Sequence, residues 1–351
     1  MKALATSVMS APEPSLVATG LPVETANTAA TSRPRSTRRP SSRRRWERLA
    51  ELGLRLMAYS ALAAIVFIFI FVFKEALPLF YDHEVRKEVT LHSMWFAKLW
   101  PGYDAPDHIW QPVSDIPKYA LLPLIVGTIK VTLVSMAIAV PLGVGVAVYV
   151  SQYASRRVRE VVKPAVELLA GIPSVVLGFF ALMVMATWFQ DFFGLESRLS
   201  ALVAGVALSF AIVPVIFTIS EEAIGAVPRS YVEASLALGA AKWQTIVRVV
   251  LPAASPGIAA GVALGLGRAV GETMIVLMAS GNAAILSASF ADSVRTLSAT
   301  IAAELAEVVV GGAHYTALFF IGSLLFLTTF VINLAGDYII NHMKRKLAGG
   351  S

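Results

Sequence analysis

The chain has 351 residues, of which 56% are hydrophobic and only 15% charged, with a mean hydropathy of +0.70 and a formal net charge of +6. Average soluble domains carry roughly 25% charged residues, so this composition excludes an ordinary soluble core and points to an integral membrane protein. Cysteine is absent, which excludes a disulfide framework, thiol chemistry and Cys-based metal sites.

Residues 1–50 form the first segment. They are rich in Ser, Thr, Ala and Pro and carry eight Arg between Arg33 and Arg48. Such a stretch cannot bury enough apolar surface to fold, and it is expected to be disordered. A basic tail beside a membrane span is expected to hold the N-terminus inside and to touch anionic membrane lipid, rather than to bind nucleic acid. The apolar run that follows ends in "VFKEALPLF" without a small-residue cleavage site, so it reads as an uncleaved first span.

A helix needs about 20 apolar residues to cross the hydrocarbon of a bilayer. Six stretches meet this. They are Leu56–Phe73; Val131–Val150, approached by apolar Tyr119–Ile129 and Lys130; Leu168–Phe189, interrupted at Pro173; Leu199–Ser220, carrying Pro214; about Pro256–Ser280; and Tyr315–Ala335. Membrane helices tolerate such prolines when neighbours satisfy the freed backbone groups, so the spans are expected to pack on one another. Lys and Arg counts set orientation. With the N-terminus inside, 20 of the 29 Lys and Arg fall on inner segments, and six crossings put both termini in the cytoplasm. The resulting plan is a tail over 1–50, a first span over 51–74, an outer loop over 75–120, a transmembrane domain over 121–340 and a short tail over 341–351.

The outer loop bears Trp residues, expected as headgroup-level anchors. It also holds His83, His92 and His108, which lack the spacing of a metal site. Lys130, near the outer end of the second span, is expected to snorkel to the headgroups. Val294, Leu297, Ile301, Leu305 and Val308 recur at helical spacing and predict an amphipathic helix lying on the outer surface.

Two stretches bear on function. The first is the inner loop "VPRSYVEASLALGAAKWQTIVRVVLPAASPG", Val227–Gly257. Ser230 and Glu233 fit a capping box, Gly239 fits the end of a short helix, and a second helix is expected from about Ala241 to Val250, stopped by Pro252. Leu236, Leu238, Trp243, Ile246 and Val247 offer apolar faces to a soluble partner; the competing reading is a compact connector under the spans. The second stretch is "GRAVGETMIVLM", Gly267–Met278, inside the fifth span. Arg268 and Glu272 are four apart and would share a helix face. An arginine in mid-membrane costs from a few to over 10 kcal/mol, and a neighbouring carboxylate reduces that cost. Gly261, Gly265, Gly267 and Gly271 allow close helix approach. The pair is therefore either a packing pin or an anion site, since guanidinium offers five donors in a planar fork suited to phosphate oxygens. No nucleophile–base pair or metal-ligand cluster accompanies Glu272, so no catalytic residue and no metal site is expected.

Glu233-Ala234-Ser235, three residues, Gly239, nine residues, then Val249-Val250-Leu251-Pro252 resembles the EAA signature of ABC-importer permeases, E-A-A-x3-G-x9-I-x-L-P. Ser and Val replace one Ala and the Ile. In that family this loop is the coupling helix that fits a cleft on a nucleotide-binding subunit, so the resemblance implies coupling roles for Glu233, Ala234, Gly239, Leu251 and Pro252. The chain has no G-x-x-x-x-G-K-[ST] run to cradle ATP phosphates. The resemblance thus implies a permease, not an enzyme, without a cofactor of its own; ATP-Mg would be bound by a partner ATPase.

"LPLIVGTIKVTL", "ELLAGIPSVVLGFFAL" and "GRAVGETMIVLMASGN" are similar to the phosphate-specific Pst permeases, and "ASGN" with "LLFLTTFVINL" to the PstC type in particular. This likeness, over roughly 121–340, implies the type I ABC-importer permease fold, all-α with six transmembrane helices. It also implies a multi-pass location in a prokaryotic inner membrane. The implied partners are a second permease of PstA type, an ATPase dimer of PstB type and an extracytoplasmic phosphate-binding protein of PstS type. In this frame Arg268 is expected on the phosphate path with Glu272 as its gating counter-charge. The competing readings are a permease for another oxyanion, sulfate or molybdate, and an ATP-independent transporter.

Overall fold

The computed structural model of the chain describes residues 41–347 and Gly349. The expected roles of the tail over 1–40 in topology and lipid contact lie outside the described residues. The chain divides into two units, one ending at Leu62 and one beginning at Ala63. Helix α1 (Ser41–Ala76) starts inside the stretch expected to be disordered. Arg, Glu and Leu are good helix formers, and Glu51 and Arg55 add an i,i+4 ion pair at 2.6 Å, so the span continues N-terminally past its apolar part.

Among the described residues, six helices are long and apolar enough to cross a membrane: Glu47–Tyr81, Leu122–Tyr153, Ser174–Phe193, Ala201–Gly225, Lys242–Gly271 and Ala313–Lys346. α2 (Pro78–Tyr81) ends the first, and between it and the second come α3 (His83–Glu88), α4 (Leu91–Trp95) and a hairpin of two-residue strands. In the hairpin β1 (Trp110–Gln111) pairs antiparallel with β2 (Lys118–Tyr119), Trp110 opposite Tyr119. Trp100 and Trp110 are 5% and 4% exposed. They are interior residues of a folded cap, not headgroup anchors: Trp110 packs with Tyr119, Leu121, Leu297 and Leu318 in one apolar cluster.

The second span is one helix, α5 (Leu122–Val148), closed by a π-turn over Tyr149–Tyr153. It runs unbroken through Lys130. That side chain does not snorkel: it is buried and donates to the Ser289 carbonyl at 2.8 Å. The third span starts later than its hydropathy suggests. Residues before Pro173 form a separate helix, α6 (Arg156–Gly171), whose start is capped by Ser155. The span itself is α7 (Ser174–Phe180), a π-turn over Ala181–Met185 and α8 (Ala186–Phe193), ended by Gly194 at φ +63°.

The fourth span, α9 (Ala201–Gly225), is capped by Ser200, whose hydroxyl accepts from the Val203 amide. It lies between α5 and α12 (Leu251–Gly271). Ile216 of α9 is fully buried; a Cβ on either Gly143 of α5 or Gly265 of α12 would come within 2.9 Å of it. Small residues thus let three spans close around one branched side chain, the packing that drives association in lipid. The sixth span is α15 (Ala313–Leu347).

Two further expectations are corrected. α14 (Leu297–Glu304) does not lie on a surface. Leu297, Ala299 and Thr300 are buried, and the Leu297 amide donates to Thr128 Oγ1 of α5 at 3.1 Å. Its Ser and Thr residues find partners inside the protein, so the helix inserts among the spans. Pro252 does not stop a helix. α11 (Lys242–Thr245), a π-turn over Ile246–Val250 and α12 form one continuous rod. The Leu251 amide reaches back to the Ile246 carbonyl, a five-residue step that absorbs the donor Pro252 lacks. Pro256 frees the Pro252 carbonyl, and Ser255 Oγ donates to it at 2.8 Å.

Candidate functional site

The fifth span is broken. α12 ends at Gly271; Glu272 is extended, at φ −68° and ψ 129°, and α13 (Met274–Ala279) follows. The Glu272 carbonyl accepts from Ser298 Oγ of α14 at 2.8 Å, and its carboxylate from the Ile275 amide of α13 at 3.5 Å. After α13 the chain reverses at Gly281 and Asn282, φ +82° and +56°, the left-handed pair that a tight turn requires. Arg268 and Glu272 therefore share no helix face, and among the described residues no ion pair or hydrogen bond joins them. The four-residue spacing fails as a pairing rule because the helix stops before the second member.

The break is deep. A Cβ on Gly267 would stand 3.5 Å from Asn333 Oδ1, and one on Gly336 2.9 Å from Ala263 Cβ. α12 and α15 therefore run antiparallel, with Gly267 level with Asn333. At 1.5 Å per residue, about 24 Å of α15 extends past the end of α12. Interrupted backbone at such depth is tolerated only where protein or a water-filled cavity meets it. Arg268 is exposed there, and Glu272 half-buried. Gly261 and Gly265 face α9, Gly267 faces α15, and Gly271 is open.

At the far end of the same rod lies the elbow. α10 (Arg229–Ala237) begins after Pro228, whose ring leaves no donor to satisfy, so Ser230 sits within the helix and forms no capping box. Gly239, at φ +84°, turns the chain as expected. Gln244 then accepts from the Ala241 amide at 2.9 Å and fixes the second helix. Ser235 and Thr245 hydroxyls meet at 2.9 Å across the elbow. Ser235 is thus a tie between two helices, at the position where the signature has Ala. Lys242 Nζ stands 4.8 Å over the Tyr153 ring, tying the elbow to the end of the second span, and beside it Lys163 of α6 pairs with Glu221 of α9 at 2.9 Å. Outward it presents Glu233, Ala234 and Gly239 together with Tyr231, Leu236, Leu238 and Trp243, of which Leu238 is 90% exposed. Leu251 is half-buried and Pro252 exposed at the root of the rod.

Sequence reasoning missed a third polar cluster. Glu304, at the end of α14, accepts from Trp110 Nε1 at 3.1 Å, from Arg295 and from His314 Nε2 at 2.9 Å. Burial alone would push the Glu304 carboxyl up, but the His314 bond, the Arg295 charge and the Trp110 indole together hold it below the usual carboxylate range. Burial, with Glu88 and Glu304 nearby, pushes Tyr119 up to about 12. Trp110 comes from 194 residues away, and Arg295 and His314 lie nine and ten residues to either side of Glu304, in no helical or strand spacing, so no local pattern announces the cluster.

A membrane protein of six spans, with a broken fifth span and an exposed elbow after the fourth, is a transport permease in outline. Residues 139–348 match the family model for binding-protein-dependent transport system inner membrane components, and the chain belongs to that family, the membrane permeases of ABC importers. It is 37% identical over 235 residues to a probable ABC transporter permease protein, YqgH, of Bacillus subtilis, covering 67% of this chain and 76% of that protein. It is 35% identical over 250 residues to the phosphate transport system permease protein PstC of Mesorhizobium japonicum, with 66% and 76% covered. A similar protein of the same description in Xylella fastidiosa is 34% identical over 256 residues, with 68% and 78% covered. Among solved structures, a bacterial ABC transporter involved in the import of the acidic polysaccharide alginate has a chain that is 15% identical with a TM-score of 0.55, covering 85% of this chain and 99% of that one. That likeness concerns the fold alone, which is the type I importer permease fold, all-α with six spanning helices.

Proposed function

We propose that this chain is the PstC-type subunit of an ATP-driven phosphate importer in a prokaryotic cell membrane. It would form the phosphate path with a second permease of PstA type and couple to an ATPase dimer of PstB type that binds ATP-Mg. A PstS-type binding protein would deliver phosphate on the opposite side. The elbow side faces the cytoplasm in this reading, as do both termini, in keeping with the distribution of Lys and Arg.

One observation carries the reading: Arg268 stands exposed at the end of a broken span, deep along the sixth span, and among the described residues no carboxylate pairs with it. An unpaired guanidinium in lipid is too costly to persist. A path that periodically holds an anion, between two permeases, resolves the cost. The planar fork of Arg268 would meet phosphate oxygens two at a time. Glu272 fixes the break through its bond to α13 and adds a negative charge beside the path, so phosphate does not lodge there. The phosphate names of several relatives support the choice of anion.

The decisive measurement is uptake of labelled inorganic phosphate by the assembled complex carrying Arg268→Gln or Glu272→Gln. Loss in Arg268→Gln and a changed uptake in Glu272→Gln are expected; wild-type uptake in both would sink the assignment. Uptake of sulfate or molybdate in place of phosphate would select another oxyanion. Phosphate uptake that persists without any ATPase subunit would overturn the ATP-driven reading.

A further inference from the structure

The seam between α12 and α15 has two unlike flanks. One is an apolar groove lined by Ile258, Val262, Leu266, Ile332, Ala335 and Ile339, suited to lipid chains. Beyond the contact of Gly267 with Asn333, the other flank carries Arg268, Asn333 and Asp337, all exposed in this chain. The helical period supports the division. Leu264, Arg268 and Gly271 recur on the exposed side of α12, while Val262 and Leu266 turn the other way.

Asn333 is the unexplained member. It lies 20 residues into α15, about 30 Å along the helix, between apolar neighbours. It makes no hydrogen bond to any described residue. A carboxamide left unpaired in lipid costs several kcal/mol by transfer scales, and polar residues in spans almost always face the protein interior or a cavity. Gly267, the residue before Arg268, packs on Asn333, so the two polar residues leave the seam at one level and both are exposed.

We propose that Asn333 is a second residue of the anion path, donating its amide N–H groups to an oxyanion that Arg268 holds by charge. This rests on the reading of Arg268 given above. Arg268 supplies attraction, which any anion of suitable size feels; Asn333 supplies directed donors that a tetrahedral oxyanion accepts and a halide uses poorly.

The test is uptake of inorganic phosphate by the assembled complex, with the yield of complex measured for each variant. Asn333→Asp puts a negative charge on the route, and uptake per complex is expected to fall about tenfold or more, since like charges at close range cost several kcal/mol. Asn333→Leu keeps the size, loses the donors and raises the KM for phosphate. Asn333→Gln retains part of the activity. Normal KM and uptake in Asn333→Asp, while Arg268→Gln still abolishes uptake, would overturn the role of Asn333 and leave that of Arg268 standing. Losses that only track a lowered yield of complex would make Asn333 a subunit-contact residue and equally overturn the proposal. Normal uptake in Arg268→Gln as well would instead remove the reading on which it rests.

Discussion

The elbow and the broken span are anomalous in opposite ways. The elbow lies outside the spans, where water is expected, yet it exposes Tyr231, Leu236, Leu238 and Trp243. The break lies inside the spans, where lipid is expected, yet it exposes Arg268 and Asn333. Each surface is poorly matched to the solvent its position would give it. Under the proposed function each would be made regular by a partner: an apolar cleft on the ATPase for the elbow, a polar passage between two permeases for the break. The Glu304 cluster is the useful contrast, because its donors and acceptors all come from this chain.

The largest effect is expected at the break. Arg268→Gln removes the charge without changing the packing of α12, whose Gly265 and Ala269 do the touching. Phosphate uptake should fall by roughly a hundredfold or more, the loss of a charge-assisted interaction of about 3 kcal/mol, with the yield of membrane-inserted protein unchanged. If Arg268→Lys restores most of the uptake, charge suffices; if it does not, the planar fork is required.

The elbow should fail differently. Glu233→Lys and Gly239→Asp both alter the exposed surface, and the second also forces a side chain onto a residue at φ +84°, a cost on the order of 1 kcal/mol. Insertion should be normal in both. Uptake should drop while the partner's ATP hydrolysis continues, read by measuring phosphate and ADP in the same vesicles. Coupled uptake at the wild-type ratio in both variants would break the comparison, because the elbow would then be only a connector.

The Glu304 cluster should affect stability and not coupling. Glu304→Gln leaves Arg295 without its counter-charge and should cost about 2–3 kcal/mol, seen as a lower melting temperature in detergent and faster proteolysis of the 98–117 segment. The pH dependence has a definite sign. The folded carboxyl is held below its ordinary value of 4.5, so its stabilisation is complete above that pH and is lost as the pH falls below it. Lowering the pH from about 7 to about 5 should therefore leave the cap intact. The window follows from the ordinary carboxylate range.

The six spans were legible because hydropathy is a one-dimensional property of the chain. Their ends were not. Lys130 looked like a boundary until its ammonium found the Ser289 carbonyl, and Pro252 looked like a stop until a π-turn absorbed its missing donor. The break after Gly271 left no hydropathy signal, since "AVGETMIVLM" is apolar on both sides. It is held by Ser298 and by the Ile275 amide, groups whose approach only the folded chain determines. Arg268 stood out as a charge in an apolar run; its lack of a partner did not, because Glu272 sits at the spacing that predicts one. In the elbow the turn at Gly239 was legible, since a positive φ leaves its mark on the sequence directly, whereas the start at Pro228 and the passage through Pro252 were not.

The smallest expected effect is the one that separates shape from surface in the elbow. Ser235→Ala restores the residue of the EAA signature and deletes the hydroxyl bridge to Thr245. A neutral hydrogen bond of this kind contributes about 0.5–1.5 kcal/mol, and the outer surface of the elbow stays unchanged. Coupled uptake should fall less than about threefold, with a matching loss in Thr245→Val and no further loss in the double variant, as expected for two partners in one bond. If the single variants instead uncouple as fully as Glu233→Lys, the angle between α10 and the long rod, more than the chemistry of its exposed face, is what the partner reads.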